Sequence, residues 1–140
     1  MNIQNQKCVM IIDENLPLGI IANTAAILGI TLGKKLPEVV GQDVWDGSGQ
    51  AHLGIIEFPV PVLQSSVKEI REIRKTLYTE DFQDILTVDF SDLAQHCKTY
   101  YEFVKKMEKT CETQLRYIGL ALCGEKKKVN ALTGRMSLLR

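Results

Sequence analysis

The sequence predicts a three-layer α/β/α domain on a mixed β-sheet, and three observations carry that expectation. Residues 8–12 (Cys-Val-Met-Ile-Ile) form an unbroken apolar run, the pattern of a strand covered on both faces. Residues 16–33 then pass without a charge, as a helix with almost no solvent face would. Beyond them, strand-type and helix-type patterns alternate, interrupted by one glycine-centred hairpin.

Taken in order, the first strand ends at the polar turn Asp13-Glu14-Asn15. Pro17 suits the first turn of the following helix, because a missing N–H costs nothing there. Gly19, Ala22, Ala26 and Gly29 place small residues on one stripe, which predicts close packing of that stripe on the sheet. Gly33 beside Lys34-Lys35 reads as the helix stop, with cations at the negative end of the dipole. Residues 39–45 and 52–58 read as two strands around the turn Asp46-Gly47-Ser48-Gly49-Gln50. Pro59 and Pro61 end that unit, since neither can donate to a ladder.

Ser66-Val67-Lys68-Glu69 has capping-box spacing, and Val67, Ile70, Ile73 and Leu77 give the next helix one apolar stripe. Residues 85–90 form another buried strand. From Asp92, the series Leu93, Cys97, Tyr100, Val104, Met107 and Cys111 predicts one long helix with a core-facing seam. Residues 117–123 are the last strand, and residues 127–133 a short helix ended by Gly134.

Composition limits the functional classes. At 140 residues and 45% hydrophobic, the chain suits one domain over residues 1–140 with its own core. A formal charge of zero provides no global field toward nucleic acid or anionic membrane. Locally, residues 36–95 hold four Lys/Arg against eleven Asp/Glu, whereas residues 105–140 hold nine against three. Mutual neutralisation in the fold accounts for this, and a basic patch for RNA phosphates is the alternative. The four cysteines, Cys8, Cys97, Cys111 and Cys123, form no C-x-x-C pair and predict reduced thiols in the cytoplasm. Only residues 16–33 approach spanning length, and Pro17 with its polar neighbours argues for a buried soluble helix rather than a membrane span.

No nucleophile elbow, phosphate loop or dinucleotide fingerprint is present. The spacing of His52, His96 and the cysteines supports no metal site, and no cofactor is expected. Asn23 and Thr24 are polar residues in an apolar helix; either they bond nearby backbone or they meet a ligand. Asp89 closes an apolar strand, where it either caps the next helix or faces a ligand cleft. Trp45 and Gln50 flank the glycine turn, where Trp45 either packs on the hairpin or meets ligand.

The segment from Leu16-Pro17-Leu18-Gly19 through Ile21-Ala22-Asn23-Thr24-Ala25-Ala26 resembles the first strand–helix unit of the type II peptidyl-tRNA hydrolases. Over nearly its whole length the chain resembles the domain-of-unknown-function 2000 family. The residues carrying that likeness are Leu18-Gly19, Val60-Pro61-Val62-Leu63, Gly119-Leu120-Ala121-Leu122-Cys123-Gly124, Leu132-Thr133-Gly134 and Leu138-Leu139-Arg140. The resemblance implies a mixed four-stranded sheet of the peptidyl-tRNA hydrolase II type, with helices on both faces, and a homodimer. The hydrolases open the first helix with Gly-Lys and carry Gln and His along it; Gly19-Ile20, Thr24 and Ile27 stand there here. Their Gly-Gln-x-Lys turn is half kept as Gly49-Gln50-Ala51-His52, and of their Asp-Ala-Gly-x-Thr-Gln segment only Asp89 remains.

The resemblance therefore implies the framework without the full catalytic set. The first expectation is a small ligand or partner bound in a cleft bounded by the first helix, the Trp45–Gln50 turn and Asp89, with Asn23 and Thr24 in contact. The alternative is hydrolysis of an aminoacyl- or peptidyl-tRNA-like ester, with Asp89 as base or orienter and His52 replacing the missing lysine.

Overall fold

The computed structural model describes residues 3–140. Its strands are β1 (Gln6–Asp13), β2 (Val44–Trp45), β3 (Ala51–His52), β4 (Val62–Ser65), β5 (Leu86–Ser91) and β6 (Tyr117–Glu125). Its α-helices are α1 (Leu18–Lys35), α2 (Val67–Leu77), α3 (Asp92–His96), α4 (Tyr100–Glu108) and α5 (Lys126–Thr133). Four strands make one mixed sheet in the order β4-β1-β6-β5, with β1 parallel to β4 and antiparallel to β6. The predicted three layers follow. Val9, Ile11, Leu120 and Leu122 face α2 and α5, while Cys8, Met10, Ala121 and Cys123 face α1. Burying both faces of β1 and β6 is what their unbroken apolar runs require.

A β-bulge alters this alternation at one point. Phe90 pairs with Gly119 and Ser91 with Tyr117, so Ile118 is the extra residue on β6. Its insertion flips the strand, sending Ile118 toward α1 and Tyr117 toward α2. Beside it, Gly119 marks a close approach of helix to sheet. A Cβ there would lie 2.5 Å from Thr24 Cγ2 and 3.2 Å from Leu28 Cδ1.

Several sequence expectations need correction. Cys8 and Cys123 are not reduced thiols but a disulfide across β1 and β6, with Cα atoms 4.2 Å apart. They are 115 residues apart in sequence and become opposite one another only through strand register, which no local spacing could reveal. The cytoplasmic expectation loses the thiol argument that carried it. Helix α1 begins one residue after Pro17 and runs through Gly33 to Lys35. It also has a full solvent face. Thr24, Leu28 and Leu32 point inward, whereas Gly19, Ala22 and Ala26 of the small-residue stripe are exposed.

The hairpin is where it was predicted, but its regular strands shrink to two residues each. An isolated bridge from Val40 to Ile56 closes its base. The long third helix is in fact two. Cys97 is extended, and Thr99 accepts a bond from Glu102 N to start α4 afresh. Thr99-Tyr100-Tyr101-Glu102 has the same capping spacing as Ser66–Glu69, so the break was legible but outweighed by the apolar series. Tyr100, Val104 and Cys111 of that series are exposed.

The opposed charge of the two halves is partly neutralised. Lys128 meets Asp84 at 3.0 Å and Arg135 meets Glu69 at 3.4 Å. No helix among the described residues is long and apolar enough to cross a membrane.

Candidate functional site

The break between α3 and α4 shapes the candidate site. One continuous helix from Asp92 would run straight past the edge strand β5. Instead the chain turns at Cys97–Thr99, and α4 stands away from β5. The gap is a cavity of about 390 Å³ between α1, β5 and the α3–α4 joint. Ile27, Val88, Phe90, Ala94, Phe103 and Met107 supply its apolar wall. Thr31, Asp89, Ser91, Cys97, Lys98, Thr99 and Tyr100 supply the polar groups. Its volume falls within the roughly 300–1,000 Å³ typical of small-molecule sites.

The polar groups are held by identifiable partners. Asp89 lies on β5 and accepts from Arg74 Nε at 3.0 Å. The Arg74 guanidinium in turn stacks 3.8 Å over the Tyr78 ring. Asp89 thus carries a matched charge and is turned toward α2, so its carboxylate is committed to a structural pair. Ser91 rather than Asp89 caps α3, through Ala94 N at 3.3 Å. Cys97 Sγ donates to Leu93 O at 3.2 Å. The Lys98 ammonium has no ion-pair partner among the described residues, leaving one uncompensated positive charge at the rim.

The other predicted site residues are elsewhere. Thr24 is buried, and its hydroxyl donates to Ile20 O at 2.7 Å, so it bonds nearby backbone. Asn23 is exposed on the outer face of α1. Trp45, Gln50 and His52 are exposed on the β2–β3 ribbon and its turn, with 72% of the Trp45 surface free. His52 Nε2 lies 2.7 Å from Asp46 Oδ2. Asp46 also accepts from the amides of Ser48 and Gln50. His52 first, then these amides, hold its carboxyl below the usual 3.8. The expected cleft is therefore split. Helix α1 and Asp89 do line one cavity, but the Trp45–Gln50 turn and His52 do not. The sequence reading missed Thr31, Ala94, Lys98 and Phe103. The second capping motif, at Thr99 and Glu102, was the signal for Lys98 and Phe103, whereas no local pattern pointed to Thr31 on α1.

Among the described residues no three His, Cys, Asp or Glu side chains cluster as metal ligands. Residues 6–140 match the model of a family described as protein of unknown function, DUF2000. The chain belongs to the DUF2000 family. A solved structure similar to this DUF2000 chain is the protein of unknown function Atu0240 from Agrobacterium tumefaciens str. C58. It aligns at a TM-score of 0.85 with 19% identity, over 96% of this chain and 97% of that one. At that identity the likeness shows the DUF2000 fold alone. No curated protein matches the chain.

Proposed function

We propose that this DUF2000 protein binds a small amphipathic molecule in the cavity between α1, β5 and the α3–α4 joint. The observation that carries the reading is the 390 Å³ cavity itself, in which the apolar side chains of Ile27, Val88, Phe90, Phe103 and Met107 stand beside the polar groups of Ser91, Lys98 and Thr99. The ligand's apolar body packs against Ile27, Phe90 and Phe103. Its polar end stays at Ser91, Thr99 and the unpaired Lys98 ammonium, which favours an anionic group. Asp89 adds no net repulsion, because Arg74 balances its charge.

Titration with octanoate, followed by amide NMR, tests this. Shifts confined to the amides around Ile27, Val88, Ala94, Lys98 and Phe103 are expected. Thr31→Trp, which fills the chamber from α1, removes them while the rest of the spectrum stays folded. An unperturbed wild-type spectrum with octanoate and with octanol overturns the proposal.

Hydrolysis of an aminoacyl- or peptidyl-tRNA-like ester lacks comparable support. It needs Asp89 and His52 at one cavity, yet Asp89 is engaged by Arg74 and His52 by Asp46. An RNA surface on the basic C-terminal portion is weakened in the same way. Lys105, Lys106, Lys128 and Arg135 each lie within ion-pair distance of a carboxylate.

A further inference from the structure

The two edges of the main sheet are treated differently. Along β4 lies the chain's own C-terminal segment: Gln64 N donates to Ser137 O at 3.0 Å and Leu139 N to Val62 O at 2.8 Å. At β5 the direction of the backbone follows from register. The Cα atoms of Cys8 and Cys123 are 4.2 Å apart, the close spacing of an antiparallel pair that exchanges no backbone bonds. Cys123 therefore turns its N–H and C=O away from β1 and toward Leu86, its partner on β5. Met10, in step with Cys8, agrees, since its N–H bonds on the β4 side, to Pro61 O at 2.9 Å.

By the same alternation Leu86, Val88 and Phe90 turn their backbone groups toward β6, and Thr87 and Asp89 present theirs to the open edge. None of those four outward groups has a hydrogen-bond partner among the described residues. The bonds Thr87 and Asp89 do make there are side-chain bonds, to Ile85 O and from Arg74. Edges are ordinarily blunted by lysine, proline or a covering segment, because unpaired backbone invites another strand. β5 contains neither residue, and its one charge, Asp89, is matched by Arg74. The cavity runs beside this strand, with Val88, Asp89, Phe90 and Ser91 in its wall.

We infer that the ligand of this cavity is the carboxyl-terminal end of a polypeptide, added to β5 as a further strand. The inference rests on the reading of the cavity as a site for an amphipathic anion. Three features together favour this occupant. The outward N–H and C=O groups of Thr87 and Asp89 match an extended main chain, whereas an acyl chain leaves them unbonded. Alternate side chains of an added strand fall on the α1 side, where Ile27, Phe103 and Met107 receive them. The terminal carboxylate supplies the negative charge that Lys98 lacks.

Hydrogen exchange and amide NMR with the acetylated pentapeptide Ala-Ala-Val-Thr-Leu test the inference. Exchange of the Thr87 and Asp89 amides is expected to slow by about tenfold or more when it binds. The same peptide ending in a carboxamide is expected to bind about threefold or more weakly. So is the free acid to Lys98→Gln, a change at an exposed position. Methylating alternate peptide nitrogens is expected to divide them, one set abolishing the protection and the other sparing it. Octanoate shifts without any response to the peptide overturn this inference and leave the cavity reading standing; silence toward octanoate, octanol and the peptide removes both. Binding that leaves Thr87 and Asp89 exchanging freely overturns the inference, as does binding indifferent to the carboxamide or to every methylation. Protection that grows with protein concentration, without peptide, means that a second copy pairs at the edge and overturns it too.

Discussion

Two antiparallel pairs in this protein have opposite fates. The β1–β6 pair runs through seven registered positions at the centre of the sheet, and Tyr117 through Gly124 are all buried. The β2–β3 pair has two registered positions, and all four of its residues are exposed. Propensity separates them in part, since β3 is only Ala51-His52, yet Val44 and Trp45 of β2 are strong β-formers. What differs most is whether a layer covers each face: helices lie on both sides of β1–β6, whereas all four residues of the ribbon are exposed. Strand propensity measures fit to a half-buried surface and gives little stability where that surface is missing.

Matched substitutions sharpen this contrast. The largest effect is expected for Leu120→Ala, at a fully buried position of β6. Large-to-small changes in such cores cost about 2–5 kcal/mol. The same change at Leu53, 83% exposed just after β3, is expected to stay within about 0.5 kcal/mol. Urea unfolding with both midpoint and slope fitted distinguishes them; equal losses at the two sites would break the comparison.

A smaller effect is expected from adding a methyl group. Gly119→Ala pushes a Cβ against Thr24 and Leu28, and overpacking of this kind costs about 1–3 kcal/mol. Gly47→Ala in the β2–β3 turn meets nothing within 4 Å and is expected to leave the thermal midpoint unchanged. A Gly119→Ala protein as stable as the wild type would mean that α1 can move off the sheet.

The smallest effect concerns titration. Tyr117 is buried, and its hydroxyl donates to Glu112 Oε2 at 2.6 Å. Burial, and then this bond, raise its pKa above the usual 10.0. Raised in the folded state, the phenol contributes stability that is complete below pH 10 and declines as pH climbs above it toward the native value. Tyr117→Phe is expected to cost about 1–2 kcal/mol near neutrality and to flatten stability above pH 10, measured by unfolding across that range. Asp46→Asn in the β2–β3 turn is expected to leave global unfolding unchanged. Its effect appears in the amide signals of Ser48 and Gln50, which in the wild type lose their acceptor only as pH falls below 3.8.

How much was legible varied with how local the cause was. Ser66 and Glu69 predicted the start of α2, because a capping box lies within four residues. Thr99 and Glu102 offered the same signal for α4, but the regular apolar series across Cys97 favoured one helix. The cavity depends on that break, so the candidate site was missed along with it. Asp89, singled out at the end of an apolar strand, lines this cavity, but its carboxylate is held by Arg74. Arg74 itself was not singled out, since the two meet only after α2 has packed on the sheet. The small-residue stripe of α1 was assigned to the wrong side. Periodicity identifies a face but not which of two weakly polar faces turns inward.

The sequence by itself determined the order of the elements, the double burial of β1 and β6, the hairpin between α1 and β4, and membership of the DUF2000 family. Those follow from apolar runs, caps and turn residues acting within a few positions of one another. Tertiary structure alone decided the register that joins Cys8 to Cys123, the bulge at Ile118, the pairing of Asp89 with Arg74 and the cavity beside β5. Each depends on groups distant in sequence being brought together by packing, and no local pattern encodes that distance.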